Sequence, residues 1–207
     1  VNDVPLQGFN AWVKRALDVA LSAAAMIVLA IPFAIIAALV RWTSPGPVFY
    51  RQERMGLDGK AFYVWKFRSM YTDRGQTDTI DQARKGDPRV TRFGRFLRRS
   101  SLDELPQLFN VLSGEMSLVG PRPHAASTRA GDRLFAEVVS TYAARHKVKP
   151  GITGWAQVNG WRGETGTEEK QLARIEHDLY YIDNWSVIFD LAILARTLTA
   201  FFSSRAY

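Results

Sequence analysis

The sequence predicts a mostly helical α+β fold whose N-terminal segment lies in a membrane. Residues 19–40 form a run of 22 residues without a charge, aromatic and β-branched residues surround an Asp58-Gly59 turn, and two helical patterns follow later in the chain. These observations predict a membrane segment, a small β-hairpin and two amphipathic helices. A chain of 207 residues is long enough for one compact domain with its own core.

The composition predicts an anionic partner. Lys and Arg number 27 against 20 Asp and Glu, which gives a formal net charge of +7. Nucleic acid, a phosphorylated small molecule and an acidic lipid surface all fit this charge. The chain has no cysteine, which excludes disulfides, thiolate nucleophiles and cysteine zinc sites. Its histidines, His124, His146 and His177, are too scattered for a zinc motif.

The apolar run is long enough to cross a bilayer, because 22 helical residues extend about 33 Å. It is too long for a signal peptide and lacks a small-residue cleavage site. Pro32 predicts a kink or break near its middle, since proline removes the bond to the carbonyl of Val28. Basic residues flank both ends and give no orientation: Lys14, Arg15, Arg41, Arg51 and Arg54. The residues alone favour a kinked spanning helix over a re-entrant hairpin, because spanning helices tolerate proline.

Segments that mix polar and apolar residues follow the apolar run. Residues 43–47 stop the helix, residues 48–54 and 60–70 predict two strands, and residues 71–88 predict a mobile loop. In residues 89–100, apolar side chains at helical spacing are surrounded by five arginines, which predicts either a solvated helix or one lying at lipid headgroups. Residues 184–202 predict an interfacial or buried helix whose only charges are Asp190 and Arg196. Its apolar stripe comprises Ile188, Leu191, Ala195, Leu198 and Phe202.

Two adjacent carboxylates, Asp103 and Glu104, stand in the most basic part of the chain. One interpretation is structural: Ser101 and Glu104 form a capping box, or Asp103 itself caps the following helix. The other is chemical: the carboxylates hold a divalent cation where a phosphate docks at a helix N-terminus. Neighbouring arginines predict that Asp103 stays ionised. Arg122 lies between two prolines, which predicts a guanidinium held on a stiff loop.

A glycine- and tryptophan-containing stretch, PGITGWAQVNGW, occupies residues 150–161. Pro150 and Gly151 predict a turn there. Trp155 and Trp161 could line a nucleotide or glycan pocket, anchor at a membrane interface, or simply pack within a loop.

Four stretches carry a resemblance to a known family: KRALDVALS (14–22), VWKFRSM (64–70), SSLDELPQLFNVLSGEMSLVGPRP (100–123) and KVKPGITGWAQVNG (147–160). They resemble the monotopic bacterial sugar transferases, which are polyprenol-phosphate phosphoglycosyl transferases. The resemblance covers nearly the whole chain, and the three later motifs occur in the family's order and approximate spacing. It implies transfer of a sugar 1-phosphate from a UDP-sugar to undecaprenyl phosphate, with release of UMP.

The resemblance also implies residue roles. A Mg²⁺-dependent catalytic pair falls on Asp103 and Glu104, and phosphate-binding cations fall on Lys66, Arg98 and Arg122. The apolar segment becomes a re-entrant helix broken at Pro32, although Ile31 stands where the family often has serine. The implied organisation is a linker (1–13), a re-entrant membrane helix (14–42) and a catalytic region (43–207) that forms one domain with that helix on the cytoplasmic face of the bacterial inner membrane.

The mechanism expected from this resemblance is covalent, with Asp103 attacking the sugar-bearing phosphorus to form a phosphosugar-aspartyl enzyme. The linker before the membrane segment suggests a larger protein with further N-terminal domains, in which glucose or galactose is the expected sugar. A non-catalytic basic membrane anchor in polysaccharide assembly is the alternative function. Nucleic acid is not expected as a partner, because no recognition module is present. The sequence leaves a homodimer possible.

Overall fold

The computed structural model describes residues 6, 8–72, 86–124, 129–130, 133–134, 142–161 and 168–202. Within them, helices predominate and the strands form three two-stranded sheets, so the predicted α+β fold with mostly helical content is confirmed. Most of the predicted loop, residues 73–85, lies outside the described residues.

The apolar N-terminal segment forms two helices, α1 (Phe9–Val28) and α2 (Ala30–Thr43), which meet at Leu29 with a bend of 65°. Pro32 is the third residue of α2, and its ring excludes the backbone bond to the carbonyl of Val28. The break expected at Pro32 therefore falls three residues earlier. Among the described residues, neither helix by itself is long and apolar enough for a bilayer, whereas the bent pair meets both criteria together.

One face of α1, which carries Lys14 and Asp18, is buried against the rest of the chain. Lys14 forms an ion pair with Asp190 (2.6 Å) and donates to the carbonyl of Val119 (3.0 Å). Asp18 accepts from the backbone N–H of Leu118 (3.0 Å). Arg15 donates to the last carbonyls of a later helix. The helix extends five residues into the predicted linker, because it begins at Phe9 instead of residue 14.

The predicted hairpin is confirmed. Strands β1 (Phe49–Met55) and β2 (Ala61–Phe67) pair antiparallel, with Tyr50 opposite Lys66. Asp58 and Gly59 form the turn with positive φ values of 53° and 70°. Arg68, just past β2, donates to carbonyls at the end of α2, including that of Ser44 (2.6 Å), so the hairpin is joined to α2.

The predicted basic helix is α3 (Arg92–Arg99), and Thr91 caps it by accepting from the N–H of Gly94 (2.7 Å). Leu97 is buried with residues of α2 and β2. The outward side carries exposed arginines. The next helix, α4 (Gln107–Ser113), ends at carbonyls that accept from Arg15.

Strand β3 (Ser117–Val119) leads directly to the Pro-flanked Arg122 and pairs in parallel with β6 (Gly151–Thr153). Pro150-Gly151 therefore enters a strand, and the predicted turn is wrong. Three glycines allow the backbones to touch here: a Cβ on Gly151 would overlap the backbone nitrogen of Gly120, and one on Gly154 would overlap the carbonyl oxygen of Gly120.

The short helix α5 (Trp155–Val158) places Trp155 against Phe189, with ring centroids 5.0 Å apart, and against Tyr180. This favours the packing interpretation of that tryptophan. Two short strands, β4 (Arg129–Ala130) and β5 (Arg133–Leu134), form a separate pair.

The last two helices are α6 (Glu168–Asp183) and α7 (Val187–Phe202), and α7 confirms the predicted C-terminal helix. Its buried face carries Asp190 and Ile193, which join a core with Val119 and Tyr181. The predicted apolar stripe faces outward instead, because Ile188, Leu191, Ala195 and Leu198 are exposed, while the side chain of Phe202 lies outside the described part.

Candidate active site

The acidic pair lies in a single 3₁₀ turn, Leu102–Glu104, between α3 and α4. Ser101 has a left-handed backbone (φ 54°, ψ 17°), and its side chain does not cap the turn. The capping box is therefore wrong, since an N-cap serine needs an extended backbone to aim its hydroxyl at the helix. Asp103 does not cap α4 either, because that helix begins later, at Gln107, after Pro106.

Glu104 joins three separate segments of the chain. Its Oε1 accepts from Lys66 Nζ on β2 (2.9 Å) and from Arg122 Nη2 (2.6 Å), and its Oε2 accepts from Arg122 Nη1 (3.1 Å). Burial disfavours the charge of Glu104, but Arg122 and Lys66 outweigh it and hold the pKa well below its usual range. Glu104 is therefore an ionised carboxylate whose two oxygens are already bonded.

Asp103 has a different electrostatic environment. Burial has the largest influence and raises the pKa of its carboxyl to about 6, and the charge of Glu104 adds to the rise. Lys66, Arg98 and Arg122 act in the opposite direction. The reason given for the ionisation of Asp103 is therefore wrong, because desolvation and the adjacent carboxylate outweigh the arginines and raise its pKa. The prediction that Asp103 is ionised at neutral pH is nevertheless compatible with this pKa, which lies below 7.

The predicted site residues are not equally close to one another. Lys66, Glu104 and Arg122 form one bonded cluster. Arg98 acts on Asp103 through its charge, and within the described part of the chain it forms no ion pair. A cleft with about 290 Å³ of empty space opens beside the cluster, lined by Arg54, Val64, Lys66, Glu104, Gln107, Arg122 and Pro123.

Two polar residues of this cleft, Arg54 and Gln107, were not among the predicted site residues. The signal for Arg54 was available in the hairpin pattern. The register pairs Arg54 with Phe62 and Tyr50 with Lys66, so Arg54 and Lys66 share one face of the hairpin. Gln107 follows Pro106 at the start of α4, and no pattern in the sequence distinguishes it.

A buried layer behind Arg122 was also not predicted. Arg145 donates to the backbone carbonyl of Arg122 (2.7 Å) and to Asp178 (2.7 Å), and it contacts Nδ1 of His124 (2.6 Å). Burial and the charge of Arg145 lower the pKa of His124 well below its usual range, so this imidazole is neutral. Arg174 donates to the carbonyl of Trp161 (2.6 Å). These bonds fix the backbone on which the Arg122 side chain is carried.

The described residues contain no group of three or more His, Asp or Glu side chains that could hold a metal ion. Mg²⁺ in phosphate-handling sites commonly uses one or two carboxylates together with substrate phosphates and water. Asp103 fits that requirement. Glu104 fits it poorly in this arrangement, because both of its oxygens accept from cations.

The cations that line the cleft define a class of protein suited to binding phosphorylated ligands. The chain belongs to the bacterial sugar transferase family, whose model matches residues 9–204.

Named relatives agree with this assignment. The UDP-glucose:undecaprenyl-phosphate glucose-1-phosphate transferase of Escherichia coli (strain K12) is 51% identical over 204 residues, which cover 99% of this chain and 43% of that protein. The exopolysaccharide production protein PSS of Rhizobium leguminosarum bv. phaseoli is 48% identical over 187 residues, covering 90% and 94%. A UDP-N-acetylgalactosamine-undecaprenyl-phosphate N-acetylgalactosaminephosphotransferase of Aeromonas hydrophila is 42% identical over 189 residues, covering 91% and 43%. The chain thus spans less than half the length of the first and third.

Proposed function

We propose that this chain transfers glucose 1-phosphate from UDP-glucose to undecaprenyl phosphate and releases UMP. The observation that carries the proposal is the ionisable Asp103 beside the Lys66–Glu104–Arg122 cluster, in a family whose relatives are named for this chemistry. Glucose is favoured because the relative with 51% identity is named for it, and the galactosamine enzyme is less similar. A screen of UDP-glucose, UDP-galactose and UDP-N-acetylgalactosamine with undecaprenyl phosphate, following UMP and lipid product, tests it.

In this proposal the Asp103 carboxylate attacks the sugar-bearing phosphorus, and the bond to UMP breaks with its electron pair leaving on UMP. The lipid phosphate then attacks the same phosphorus and displaces the carboxylate of Asp103. Lys66 and Arg122 bind phosphate oxygens and stabilise the charge that develops on UMP, with Arg98 adding its positive charge. When bound, Mg²⁺ at Asp103 and the substrate phosphates supplies further charge neutralisation.

The role of Asp103 predicts a pH dependence. Turnover should fall as the pH drops through about 6, because a protonated carboxyl is a poor nucleophile. Glu104→Gln should move this acid limb to lower pH in whatever activity remains, since the charge of Glu104 raises the pKa of Asp103. Initial rates of UMP release between pH 4 and 8, about two units either side of the expected pKa, check both statements. An acid limb that Glu104→Gln leaves in place would assign it to another group.

The second candidate, a non-catalytic membrane anchor, is favoured by one observation. The exposed side of α3 carries Arg92, Arg95 and Arg99, which suit an acidic lipid surface. This reading gives no reason for burying Glu104 between two cations beside a cleft. Detergent-solubilised protein that releases no UMP from any UDP-sugar would favour the anchor.

We further propose that α1 and α2 enter the membrane and return to the same, cytoplasmic, side of the bacterial inner membrane. Support comes from the bend itself, where Ile27, Val28 and Ile31 are each about three quarters exposed. Apolar side chains clustered at the tip of a bent helix pair are expected to lie in lipid.

The topology proposal has a direct test in this cysteine-free chain. Cysteines introduced at Asn10 and Thr43 should both react with a membrane-impermeant label only from the cytoplasmic side, because both positions lie at the open ends of the helix pair. A cysteine in the exposed hairpin turn, at Lys60, marks the side of the catalytic region. Periplasmic labelling at position 10 with cytoplasmic labelling at position 60 would instead indicate a spanning segment.

A further inference from the structure

Arg54 brings an additional cation into the cleft. It lies on β1, on the same hairpin face as Lys66, and lines the cleft together with Glu104 and Arg122. Its side chain is partly buried. The hairpin register fixes this placement, so Arg54 cannot leave the cleft face without a slip of the strand.

Arg54 differs from its cationic neighbours in lacking a carboxylate partner. Lys66 and Arg122 are both paired with Glu104. The hydrogen bond of Arg54 goes to the backbone carbonyl of Glu53 (2.9 Å), and within the described part of the chain no carboxylate lies within ion-pair distance of it. Burial and, to a smaller extent, the charge of Arg122 lower the pKa of Arg54 to about 10, so the guanidinium stays charged at neutral pH.

The surroundings of Arg54 contain a surplus of positive charge. Among the described side chains that line the cleft, the cations Arg54, Lys66 and Arg122 face one carboxylate, that of Glu104. Desolvated cations without counter-ions are costly, so the cleft is built to receive an anion carrying about two charges.

We propose that Arg54 is a substrate-binding residue that holds a phosphate group in this cleft, alongside Lys66 and Arg122. A diphosphate on the nucleotide sugar and a phosphate on the lipid share this chemistry. The proposal rests on the proposed function for the identity of these two sources, and the experiment below separates them. An arginine suits the role because its planar fork can bond two phosphate oxygens at once.

Arg54→Gln tests the proposal, with Arg51→Gln as the matched control. Arg51 lies three residues earlier on the same strand, is exposed, and stacks over Tyr63 and Trp65 on the opposite hairpin face. Both substitutions remove one positive charge from β1. The measurements are kcat, KM for UDP-glucose, KM for undecaprenyl phosphate, and equilibrium binding of inorganic pyrophosphate and of UMP to detergent-solubilised full chain.

We expect Arg54→Gln to weaken the binding of one substrate by about 10- to 100-fold, as loss of a charge-assisted hydrogen bond does. Arg51→Gln should bind both substrates about as well as the wild type. A raised KM for UDP-glucose with weaker pyrophosphate and UMP binding assigns Arg54 to the nucleotide diphosphate. A raised KM for undecaprenyl phosphate alone assigns it to the lipid phosphate. If Arg54→Gln matches Arg51→Gln in every measurement, the proposal is overturned.

Wild-type protein supplies an independent readout if Arg54→Gln does not fold. Pyrophosphate or undecaprenyl phosphate should protect Arg54, but not Arg51, from an arginine-specific dicarbonyl reagent in peptide mapping, and equal modification with and without both ligands would overturn the proposal. The binding measurements also separate this inference from the transfer reaction. If the protein binds pyrophosphate through Arg54 but releases no UMP, the proposed function is refuted, whereas the phosphate site at Arg54 is supported.

Discussion

Asp103→Asn is expected to leave a folded protein that has lost nearly all turnover, on the order of 10⁴-fold or more, because an amide does not attack phosphorus usefully. The structure removes the competing explanation that Asp103 is needed as a helix cap, since it lies inside a 3₁₀ turn. Even if it were a cap, asparagine would serve equally well. UMP release and thermal unfolding, measured on the same preparation, check the two halves of this expectation.

The matched control is Asp58→Asn, the same chemical change in the hairpin turn, where asparagine tolerates the positive φ of 53°. It should retain wild-type turnover. The intermediate can be sought directly by giving wild-type protein a radiolabelled UDP-sugar without lipid acceptor. We expect at most one UMP per site and label retained at Asp103. UMP that appears only with acceptor, and no label on the chain, would indicate direct transfer with Asp103 in a different role.

Arg122→Ala should lower turnover by about 100- to 1,000-fold while leaving attachment to membranes unchanged. Removing one oriented donor to a charged transition state commonly costs about 2.7–4 kcal/mol. The alanine variant also deprives Glu104 of two of its three side-chain hydrogen bonds. Turnover is measured by UMP release, and attachment by co-sedimentation with vesicles that contain acidic lipid.

Arg95→Ala is the appropriate control, since Arg95 is exposed on α3. It should reduce vesicle attachment more than turnover, which is the reverse of the pattern expected for Arg122. Loss of attachment and activity in equal proportion for Arg122→Ala would assign that residue to the lipid surface.

Local patterns in the sequence predicted the elements that frame the site. The hairpin follows from the aromatic and β-branched residues on either side of Asp58-Gly59, and α3 follows from its helical spacing. The family resemblance pointed to Lys66, Glu104 and Arg122, and the structure brings these three within hydrogen-bonding distance. Their catalytic roles, and that of Asp103, stay predictions.

Other features depend on contacts between distant parts of the chain and were out of reach. The buried face of α7 is set by Asp190, whose partner Lys14 lies near the other end of the sequence. The pKa of Asp103 depends on how far burial outweighs the nearby arginines, which spacing does not reveal. Ser101 was misjudged because nothing in S-x-x-E distinguishes a left-handed serine from an extended one.

The contact among Gly120, Gly151 and Gly154 gives the GITG segment a function that needs no ligand. Because these glycines have no side chains, the two backbones can lie in direct contact. That contact fixes the position of Gly120, which lies two residues before Arg122. A methyl group at position 151 would displace the backbone of Gly120. The proline-stiffened backbone would transmit that displacement to the guanidinium of Arg122. A mutational screen that scores activity alone would therefore count Gly151 among the active-site residues, although it lies outside the cleft.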